Sequence, residues 1–553
     1  MVSISDPNAI KALNKLLNLV EMIHNENEEL NEANQQLKDE ISHLKGEQGK
    51  PKVKGNKRKN KDISSEKERK NGRTGDEDDP ENSKKKKRKR QPKLPQVKID
   101  REQVCLVDKS VLPKDIQFKG YSDVVIQDIK IVTDNVKYRR EIYYSPSQQK
   151  TYLGDLPSDV AGKGEYGVGV RSLIPLLKSE CNLSESAILD FLQNFGIVSS
   201  SAYISNQWTK GYALFHQEKS DIFKAGLSSC HYQQIDDTGA RVNGENHYTQ
   251  ILCNPFYSAY FTTPSKDRLT VLDVFRNFAP REFLYNQHAL SLLDAFRLSK
   301  KIVQATDDLL DKGRVFDEGT LDSLLNTIRA GPKQRSRIKE ACAIAAYREQ
   351  THFPVIQTLV CDDAPQFKLL TEELALCWVH DGRHYKKLHP IVHPHQNILD
   401  DFLSRYWIFY HKLVAYQEVP DPTQAILLTE EFKELFSTRT EYDQLNARIA
   451  ITLAKRQELL LVLKYPDVPL HNNASELAAR VQARARDVSL HTRSEAGTKI
   501  KDTFMTICQT AKKLGVRTYD YILDRVSGEC KLPSLAQLIE EKASGKTSAH
   551  LAP

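Results

Sequence analysis

The sequence predicts an α/β protein whose core carries helical insertions, preceded by a coiled coil and a small separate region. Three observations predict this fold class. A leucine repeat opens the chain, strand-like runs with turn signals lie in its middle, and stretches of helical periodicity interrupt and follow those runs. The 553 residues leave room for roughly three or four structural units.

Residues 1–45 are predicted to form a coiled coil. One apolar seam repeats every seven residues, at Leu16, Ile23, Leu30, Leu37 and Leu44. The companion seam positions are Leu13, Val20, Asn27, Asn34 and Ile41. This double seam predicts that two copies of the chain pair as a homodimer, and the asparagines favour a two-stranded assembly in register. An amphipathic helix packed on its own domain is the alternative.

A basic segment follows at residues 46–98. It has too few large apolar residues to bury a core and is predicted to be a disordered linker. Positions 50–98 hold twenty Lys or Arg and eight Asp or Glu, whereas the whole chain has a net charge of only +7. The densest run is Lys84, Lys85, Lys86, Lys87, Arg88, Lys89 and Arg90. This run predicts contact with DNA phosphates, with a nuclear address or a solvated linker as alternatives.

The next region, residues 99–160, is predicted to form a small β-rich module. It alternates turns with β-prone runs at 124–132, 140–145 and 150–154.

Residues 161–225 are predicted to be helical. A helix capped by Ser184 is broken at Gly196, and a second helix starts near Ser199. Helix, glycine-containing turn and serine-capped helix form the outline of a helix-turn-helix, although ordinary helical hairpins share that outline.

The main α/β domain is predicted at residues 226–530. A strand-like run at 230–238 contains Asp236 and Asp237, and strands are predicted at 245–253 and 257–263. The Asn243-Gly244 pair between the first two is a strong hairpin signal.

A buried-looking apolar run at 353–360 is followed by Asp362 and Asp363. An acidic residue at the carboxyl end of such a strand fits the site position of open α/β sheets. Helical insertions are predicted at about 279–350 and 390–465, and a C-terminal tail at 531–553.

Some classes of protein are disfavoured by what the sequence lacks. No stretch approaches ~18 uninterrupted apolar residues, so a membrane span is not expected. The nine cysteines contain no CxxC pair, which argues against zinc-ribbon spacings and a disulfide framework. The N-terminus lacks the features of a secretory signal. A reducing, intracellular compartment is therefore expected.

Four ordered segments carry a resemblance to a known family. They are Gln234-Ile235-Asp236-Asp237-Thr238-Gly239; Asp362-Asp363-Ala364-Pro365-Gln366-Phe367 with Cys377-Trp378-Val379-His380 and Arg383; Asn472-Asn473-Ala474-Ser475-Glu476; and Thr510-Ala511-Lys512-Lys513-Leu514-Gly515 with Tyr521-Ile522-Leu523. They resemble the transposases of the insertion sequence 66 family of bacterial mobile elements, within the DDE superfamily. The resemblance spans residues 100–526.

The resemblance implies a ribonuclease H-like catalytic core and an acidic triad of Asp236, Asp362 and Glu476. The implied reaction cleaves element ends and joins the 3′-hydroxyl to target DNA. Carboxylates suit Mg²⁺, and two Mg²⁺ ions, or Mn²⁺ in their place, serve such chemistry. In that mechanism Asp236 bridges both ions, Asp362 holds one and Glu476 the other. Adjacent strand residues point to opposite faces, so only one residue of each Asp-Asp pair should reach the metals.

The implied partner is double-stranded DNA, and the implied location is the bacterial cytoplasm, in association with the nucleoid. Arg480 follows Glu476 by one helical turn and is predicted to contact DNA phosphate or to pair with a carboxylate. Cys377 and His380 lack two further zinc ligands at suitable spacing. The resemblance instead suggests a structural role for both, bracing the insertion against the core. Members of the family commonly have an N-terminal zinc module, whereas here Cys105 stands alone.

Three other functions are weighed against this one. A catalytically silent DNA-binding protein derived from a transposase would keep the fold without activity. A ribonuclease H-like nuclease would cleave without strand transfer. A leucine-zipper regulator is disfavoured, because its basic region would precede the zipper as continuous helix, whereas here the basic segment follows the repeat.

Overall fold

The computed structural model describes residues 6–44, 99–108, 117, 119–129, 131–157 and 165–545. The predicted DNA-contacting run lies outside these residues: Lys84, Lys85, Lys86, Lys87, Arg88, Lys89 and Arg90.

The described part of the chain begins with one long helix, α1 (Pro7–Leu44). The seam residues Leu16, Leu30 and Leu37 are exposed. A different, polar face docks on the body of the protein, where the Asn18 side chain donates to the Glu441 carbonyl at 2.8 Å. The helix therefore packs on its own chain, as the alternative interpretation expects, yet leaves its apolar seam uncovered.

In its described residues, the predicted β-rich region contains one antiparallel hairpin, formed by β1 (Ile142–Ser145) and β2 (Lys150–Leu153). These strands match the second and third β-prone runs. The first run, 124–132, forms no strand in its described residues.

Between this hairpin and the central sheet, the described residues form four helices: α2 (Val168–Ser179), α3 (Glu185–Asn194), α4 (Ser201–Thr209) and α5 (Ala213–Ser228). The Ser184 hydroxyl accepts from the Ala187 N–H and caps α3. The Ser200 hydroxyl does the same for α4 through Tyr203 N–H. Serine oxygens satisfy helix N–H groups that otherwise lack partners, so the two predicted helices form where the sequence places them.

The main domain is built on a mixed sheet, which has five strands in the described part of the chain. Its first three strands, β3 (Tyr232–Val242), β4 (Glu245–Cys253) and β5 (Ser258–Thr263), form an antiparallel meander. The β3–β4 turn is Asn243-Gly244, with φ values of 49° and 83°. Both angles are positive, as a two-residue hairpin turn of this kind requires.

The first helical block follows β5 and includes a short two-stranded ladder. Its elements are α6 (Arg268–Phe275), β6 (Phe283–Leu284), α7 (Gln287–Ala295), α8 (Lys300–Leu309), β7 (Val315–Phe316), α9 (Glu318–Leu325) and α10 (Pro332–Glu349).

The chain then returns to the sheet with β8 (Thr358–Cys361), a 3-10 turn at Pro365–Phe367, and β9 (Glu373–Leu376). Strand β8 pairs in parallel with β3 and with β9, which gives the order β5-β4-β3-β8-β9. Helix α11 (Trp378–Lys386) follows β9. The five helices after α11 form the second helical block. They are α12 (His393–Glu418), α13 (Pro422–Phe436), α14 (Asp443–Ala454), α15 (Arg456–Leu459) and α16 (Leu461–Lys464).

The last helices are α17 (Asn473–Ser489), α18 (Glu495–Leu514), α19 (Thr518–Ser527) and α20 (Leu535–Ala543). Helix α18 covers the outer edge of β5. Asp502, Thr506 and Thr510, each four residues apart, accept backbone N–H groups of this strand. An edge strand with unpaired N–H groups can pair with other chains. The bonds to α18 prevent this at β5.

Helices lie on both faces of the sheet. On one face Ile235 and Leu252 belong to the large core together with Phe223 of α5. On the other face Ile251 and Tyr260 contact Ala478 of α17. Within the described ranges, no helix is both long and apolar enough to cross a membrane.

Candidate active site

Asp236 and Asp362 lie side by side where β8 ends against the middle of β3. Gln234 of β3 is in register with Val360 of β8. Two residues further along both strands come Asp236 and Asp362, and the same register therefore makes them neighbours. Asp362 directly follows Cys361, the last residue of β8. The sequence prediction of an acidic residue at this strand end is matched by the position of Asp362.

The alternation of β3 decides which face Asp236 occupies. Asp236 is directly opposite Ile251 of β4, and directly opposite residues share a face. Ile251 packs against Ala478 of α17. Asp236 is therefore on the face covered by α17, whereas Ile235 faces the other core.

The two neighbouring aspartates are paired with other groups. Asp237 accepts from Lys266 Nζ at 3.1 Å and from Gln366 Nε2 at 2.8 Å. Asp363 forms ion pairs with Lys455 and Lys368. Burial alone would raise the pKa of Asp363, but these two lysines lower it.

Glu476 reaches this cluster from the first turn of α17. Asn472, the N-cap residue of that helix, attaches it to the sheet, because its amide Nδ2 donates to the Ile235 carbonyl at 2.7 Å. The Asn472 backbone N–H donates to Cys377 Sγ at 3.3 Å. The helix therefore starts at a fixed point beside the residue preceding Asp236, and Glu476 follows within one turn.

His380 and Arg383 of α11 approach Glu476 from the other side. His380 Nδ1 is 3.7 Å from Glu476 Oε1, and Arg383 Nη2 is 3.5 Å from Glu476 Oε2. Arg383 Nη1 is also 3.1 Å from His380 Nε2. Burial lowers the pKa of His380 and outweighs the opposing charge of Glu476, while the positive charge of Arg383 lowers it further. A neutral imidazole therefore lies next to the carboxylate cluster.

The carboxyl groups repel one another in this half-buried place. Burial, together with the charges of Asp362, Asp237 and Glu476, raises the pKa of Asp236 to about 7. Burial also raises the pKa of Asp362. Among the described residues, Asp236 and Asp362 have no ion pair with Lys or Arg, in contrast to Asp237 and Asp363. A nearby cation would favour the ionised forms of both.

This donor set fits hard divalent cations. Carboxylate oxygens are the ligands that Mg²⁺ prefers. Two buried atoms at the site, Asn472 Oδ1 and His380 Nδ1, also have no hydrogen-bond partner in the described part of the chain. Such orphaned atoms are rare in folded proteins and are often explained by a missing water or ion. Asp236, Asp362 and Glu476 are the residues that would hold metal.

Sequence spacing alone did not reveal one group at this site. Cys377, His380 and Glu476 bring one ligand atom each within 4.8 Å of one another. The sequence did not show Glu476 as a third possible ligand beside Cys377 and His380, because it follows them only much later in the chain. Burial raises the pKa of the Cys377 thiol to about 11, and a protonated thiol is a poor metal ligand. The role of Cys377 as a structural residue stays a prediction.

Position supports that prediction better for Cys377 than for His380. Cys377 is buried and its backbone N–H donates to the Cys361 carbonyl at 3.1 Å. The next residue, Trp378, contacts Tyr406 and Phe432 of the second helical block. Cys377 thus lies at the junction between sheet and insertion, whereas His380 faces Glu476. Arg480 lies one turn beyond Glu476 and is exposed.

Comparison with known proteins identifies the family. The family model described as Transposase IS66 family matches residues 343–500. A protein of Sinorhizobium fredii (strain NBRC 101917 / NGR234), named uncharacterized protein y4jO, is 31% identical over 326 residues. The aligned region covers 58% of this chain and 100% of that relative. The chain belongs to the IS66 family of transposases.

The IS66 family match includes two members of the candidate triad, Asp362 and Glu476, together with Cys377 and His380. Asp236 precedes the matched region, so its assignment depends on the sheet register rather than on the family model. The predicted resemblance is confirmed at the level of the family.

Proposed function

We propose that this IS66 family member is a DDE transposase that cleaves the ends of its element and joins the released 3′-hydroxyl to target DNA. The observation that carries the proposal is the convergence of Asp236 and Asp362, from adjacent parallel strands, with Glu476 from α17. The strand order, with an antiparallel meander followed by parallel strands, supports a ribonuclease H-like core for the region 226–530. The helical blocks are insertions into that core.

The three carboxylates would hold two Mg²⁺ ions, for which Mn²⁺ substitutes. When bound, such a pair of ions activates the attacking water or hydroxyl and neutralises charge on the leaving oxygen. Asp236 would be the shared ligand, and Asp362 and Glu476 would each hold one ion. Arg383 Nη2, 3.5 Å from Glu476 Oε2, would orient the Glu476 carboxylate, and His380 lies next to it.

The remaining regions would deliver DNA to this site. The basic linker at 46–98 contacts phosphates, and the capped helices α3 and α4 supply a candidate helix-turn-helix for the element ends. The exposed seam of α1 pairs with a second copy of the chain as a coiled coil. The small region at 99–160 and the tail at 531–553 complete this division into domains.

The experiment uses purified full-length chain and duplex DNA that carries the ends of the element. Mg²⁺-dependent release of a 3′-hydroxyl end and its joining to a target duplex are both measured on sequencing gels, with EDTA as the matched control. Cleavage followed by joining is expected. Cleavage without joining would favour a nuclease of the same fold. DNA binding with neither reaction, in Mg²⁺ or Mn²⁺, would favour a catalytically silent DNA-binding protein.

A further inference from the structure

The loop after Asp362 is fixed by side chains of the first helical block. This loop, residues 364–371, leads from β8 towards β9 through the 3-10 turn at Pro365–Phe367, and is called the Asp362 loop below. Arg268, the first residue of α6, contacts it. The Arg268 side chain is only 8% exposed. A buried charged group is retained only where specific partners compensate its loss of water, so the partners of Arg268 indicate its role.

The Arg268 guanidinium donates to two backbone carbonyls of the loop. Its Nε donates to the Lys368 carbonyl at 3.0 Å, and its Nη2 donates to the Pro365 carbonyl at 2.7 Å. These two carbonyls lie at opposite ends of the 3-10 turn. The third nitrogen, Nη1, forms a buried ion pair with Glu340 of α10. Because the donors of a guanidinium form a rigid planar fork, the ion pair with Glu340 also sets the direction of the other two bonds.

A second arginine of the first helical block fixes the far end of the loop. Arg348 Nη2, on α10, donates to the Thr371 carbonyl at 2.6 Å and lies 3.4 Å from the Leu369 carbonyl. Leu369 has φ 68°, a left-handed conformation that residues other than glycine rarely adopt. Such a conformation persists where the surrounding structure imposes it. The first helical block therefore determines the path of the loop.

The loop in turn contacts both aspartates that neighbour the candidate triad. Gln366 Nε2 donates to Asp237 Oδ2 at 2.8 Å. Lys368 Nζ lies 2.9 Å from Asp363 Oδ1 in an ion pair. Gln366 is the middle residue of the 3-10 turn and Lys368 directly follows it. The position of this turn therefore determines whether the two neighbouring aspartates keep these partners.

The Asp362 carboxylate also depends on the loop. Asp362 lies one residue beyond β8, so strand pairing does not orient its side chain. Its Oδ1 accepts the Ala364 N–H at 3.1 Å, and Ala364 is the residue directly before the 3-10 turn. Groups that orient a metal ligand change metal affinity by roughly 10- to 100-fold when they are removed.

We propose that Arg268 is a positioning residue of the candidate active site. By fixing the Asp362 loop it orients the Asp362 carboxylate for metal binding. It also keeps Asp237 and Asp363 with their partners in the loop. The first helical block thereby serves the site, since Glu340 of this block fixes Arg268. The inference rests on the proposed function, because it takes Asp362 as a metal ligand.

The test compares the full-length wild type with Arg268→Gln and Arg268→Lys. Lysine keeps the charge beside Glu340 but lacks the planar fork that reaches both carbonyls. Two matched controls are Arg276→Gln and Arg337→Gln. Arg276 is as buried as Arg268, at 5% exposed, but pairs with Glu282. Arg337 shares the partner Glu340 with Arg268, at 2.8 Å.

Two measurements are made on each protein without DNA. Hydrogen exchange is followed at the amides of Ala364 and Phe367, which donate to Asp362 and to the Ala364 carbonyl. In Arg268→Gln this exchange should be roughly 10- to 100-fold faster. Mn²⁺ binding is titrated by electron paramagnetic resonance, with Asp362→Asn to identify the ions bound at the triad. Both Arg268 variants should bind these ions roughly tenfold more weakly, and both controls should bind them like the wild type.

Urea unfolding of every variant separates positioning from general stability. If Arg268→Gln does not fold, Arg268→Lys decides the question by the same two measurements. Wild-type exchange at both amides would overturn the inference. Faster exchange with wild-type Mn²⁺ affinity would also overturn it, because Arg268 would then stabilise the loop without positioning a metal ligand. An equal loss of Mn²⁺ affinity in Arg276→Gln would overturn it in favour of a stability effect.

The inference and the proposed function fail in different ways. If the wild type cleaves element ends and the Arg268 variants bind Mn²⁺ and cleave as it does, the positioning role is wrong and the transposase proposal stands. If Mn²⁺ affinity and loop exchange depend on Arg268 but the wild type never cleaves, the positioning role stands and the catalytic proposal is wrong.

Discussion

Replacing Glu21 by alanine should detach α1 from the body of the protein. The Glu21 carboxylate is buried and accepts the backbone N–H groups of Ile391 and Val392, each at 3.0 Å. It also lies 3.3 Å from His395 Nδ1. Val392 is the N-cap residue of α12, which has no side-chain cap of its own. Glu21 therefore caps a helix that is distant in the sequence.

The size of the effect follows from these contacts. A hydrogen bond to a charged group contributes about 1.5–3 kcal/mol, and a helix cap typically about 1 kcal/mol. Water solvates the freed groups once α1 leaves, so the contributions do not add in full. We expect docking to weaken by about 2–4 kcal/mol, or roughly 30- to 700-fold.

Hydrogen exchange at the amides of Ile391 and Val392 measures this directly. In Glu21→Ala their exchange should accelerate by a factor in that range, and in Glu21→Gln by less, because the amide oxygen still accepts. Glu29→Ala on an exposed position of the same helix is the matched control and should leave exchange unchanged. Wild-type protection of both amides in Glu21→Ala would refute the capping argument.

Three further changes have defined outcomes. Leu30→Glu combined with Leu37→Glu puts charge on the exposed seam and should abolish self-association in sedimentation experiments, whereas an unchanged dimer would remove the coiled-coil proposal. The buried Trp378 ring donates from its nitrogen to the Leu459 carbonyl. Trp378→Ala leaves a cavity there and should lower the free energy of unfolding by about 3–5 kcal/mol in urea titrations. A loss below about 1 kcal/mol would contradict the role of Trp378 in joining the sheet to the insertion. Gly226→Ala would place a Cβ 2.5 Å from the Tyr257 ring and should destabilise by about 1–3 kcal/mol in thermal melts, while Gly169→Ala, whose Cβ meets only Tyr519 Oη at 3.8 Å, should be neutral or stabilising.

The antiparallel meander was predictable because its signals are local. Asn243-Gly244 specifies a two-residue turn, and the alternating runs on either side then have a defined register. The observed strand β3 extends to Val242, four residues beyond the predicted end at Thr238, because the turn is that short. Strand β9 was missed, since Glu373–Leu376 is only four residues long and depends on β8 for its pairing.

The sequence alone could not choose within the Asp-Asp pairs. Strand alternation predicts that one residue of each pair faces the site, but not which one. The choice depends on the face that α17 covers, and on which aspartate each of three lysines contacts in the folded chain. Lys266 forms an ion pair with Asp237, and Lys455 and Lys368 form ion pairs with Asp363. The resemblance to the family supplied the same choice from motifs.

Docking of α1 was invisible for a related reason. A heptad pattern identifies only apolar residues, and here it identified the seam that remains exposed in the structure. The docking face uses Asn18 and Glu21, polar residues that a periodicity argument assigns to solvent. Only the tertiary partners at Ile391, Val392 and Glu441 turn these residues into a buried contact.

Comparing the two neighbours within each aspartate pair tests which carboxylates form the active site. Mg²⁺-dependent cleavage of element ends is measured for Asp236→Asn and Asp362→Asn beside Asp237→Asn and Asp363→Asn, with Glu476→Gln as the third member of the triad. Asp236→Asn, Asp362→Asn and Glu476→Gln should each abolish cleavage while DNA binding persists, whereas Asp237→Asn and Asp363→Asn should retain cleavage. Activity that survives in Asp236→Asn and is lost in Asp237→Asn would contradict the assignment of the site.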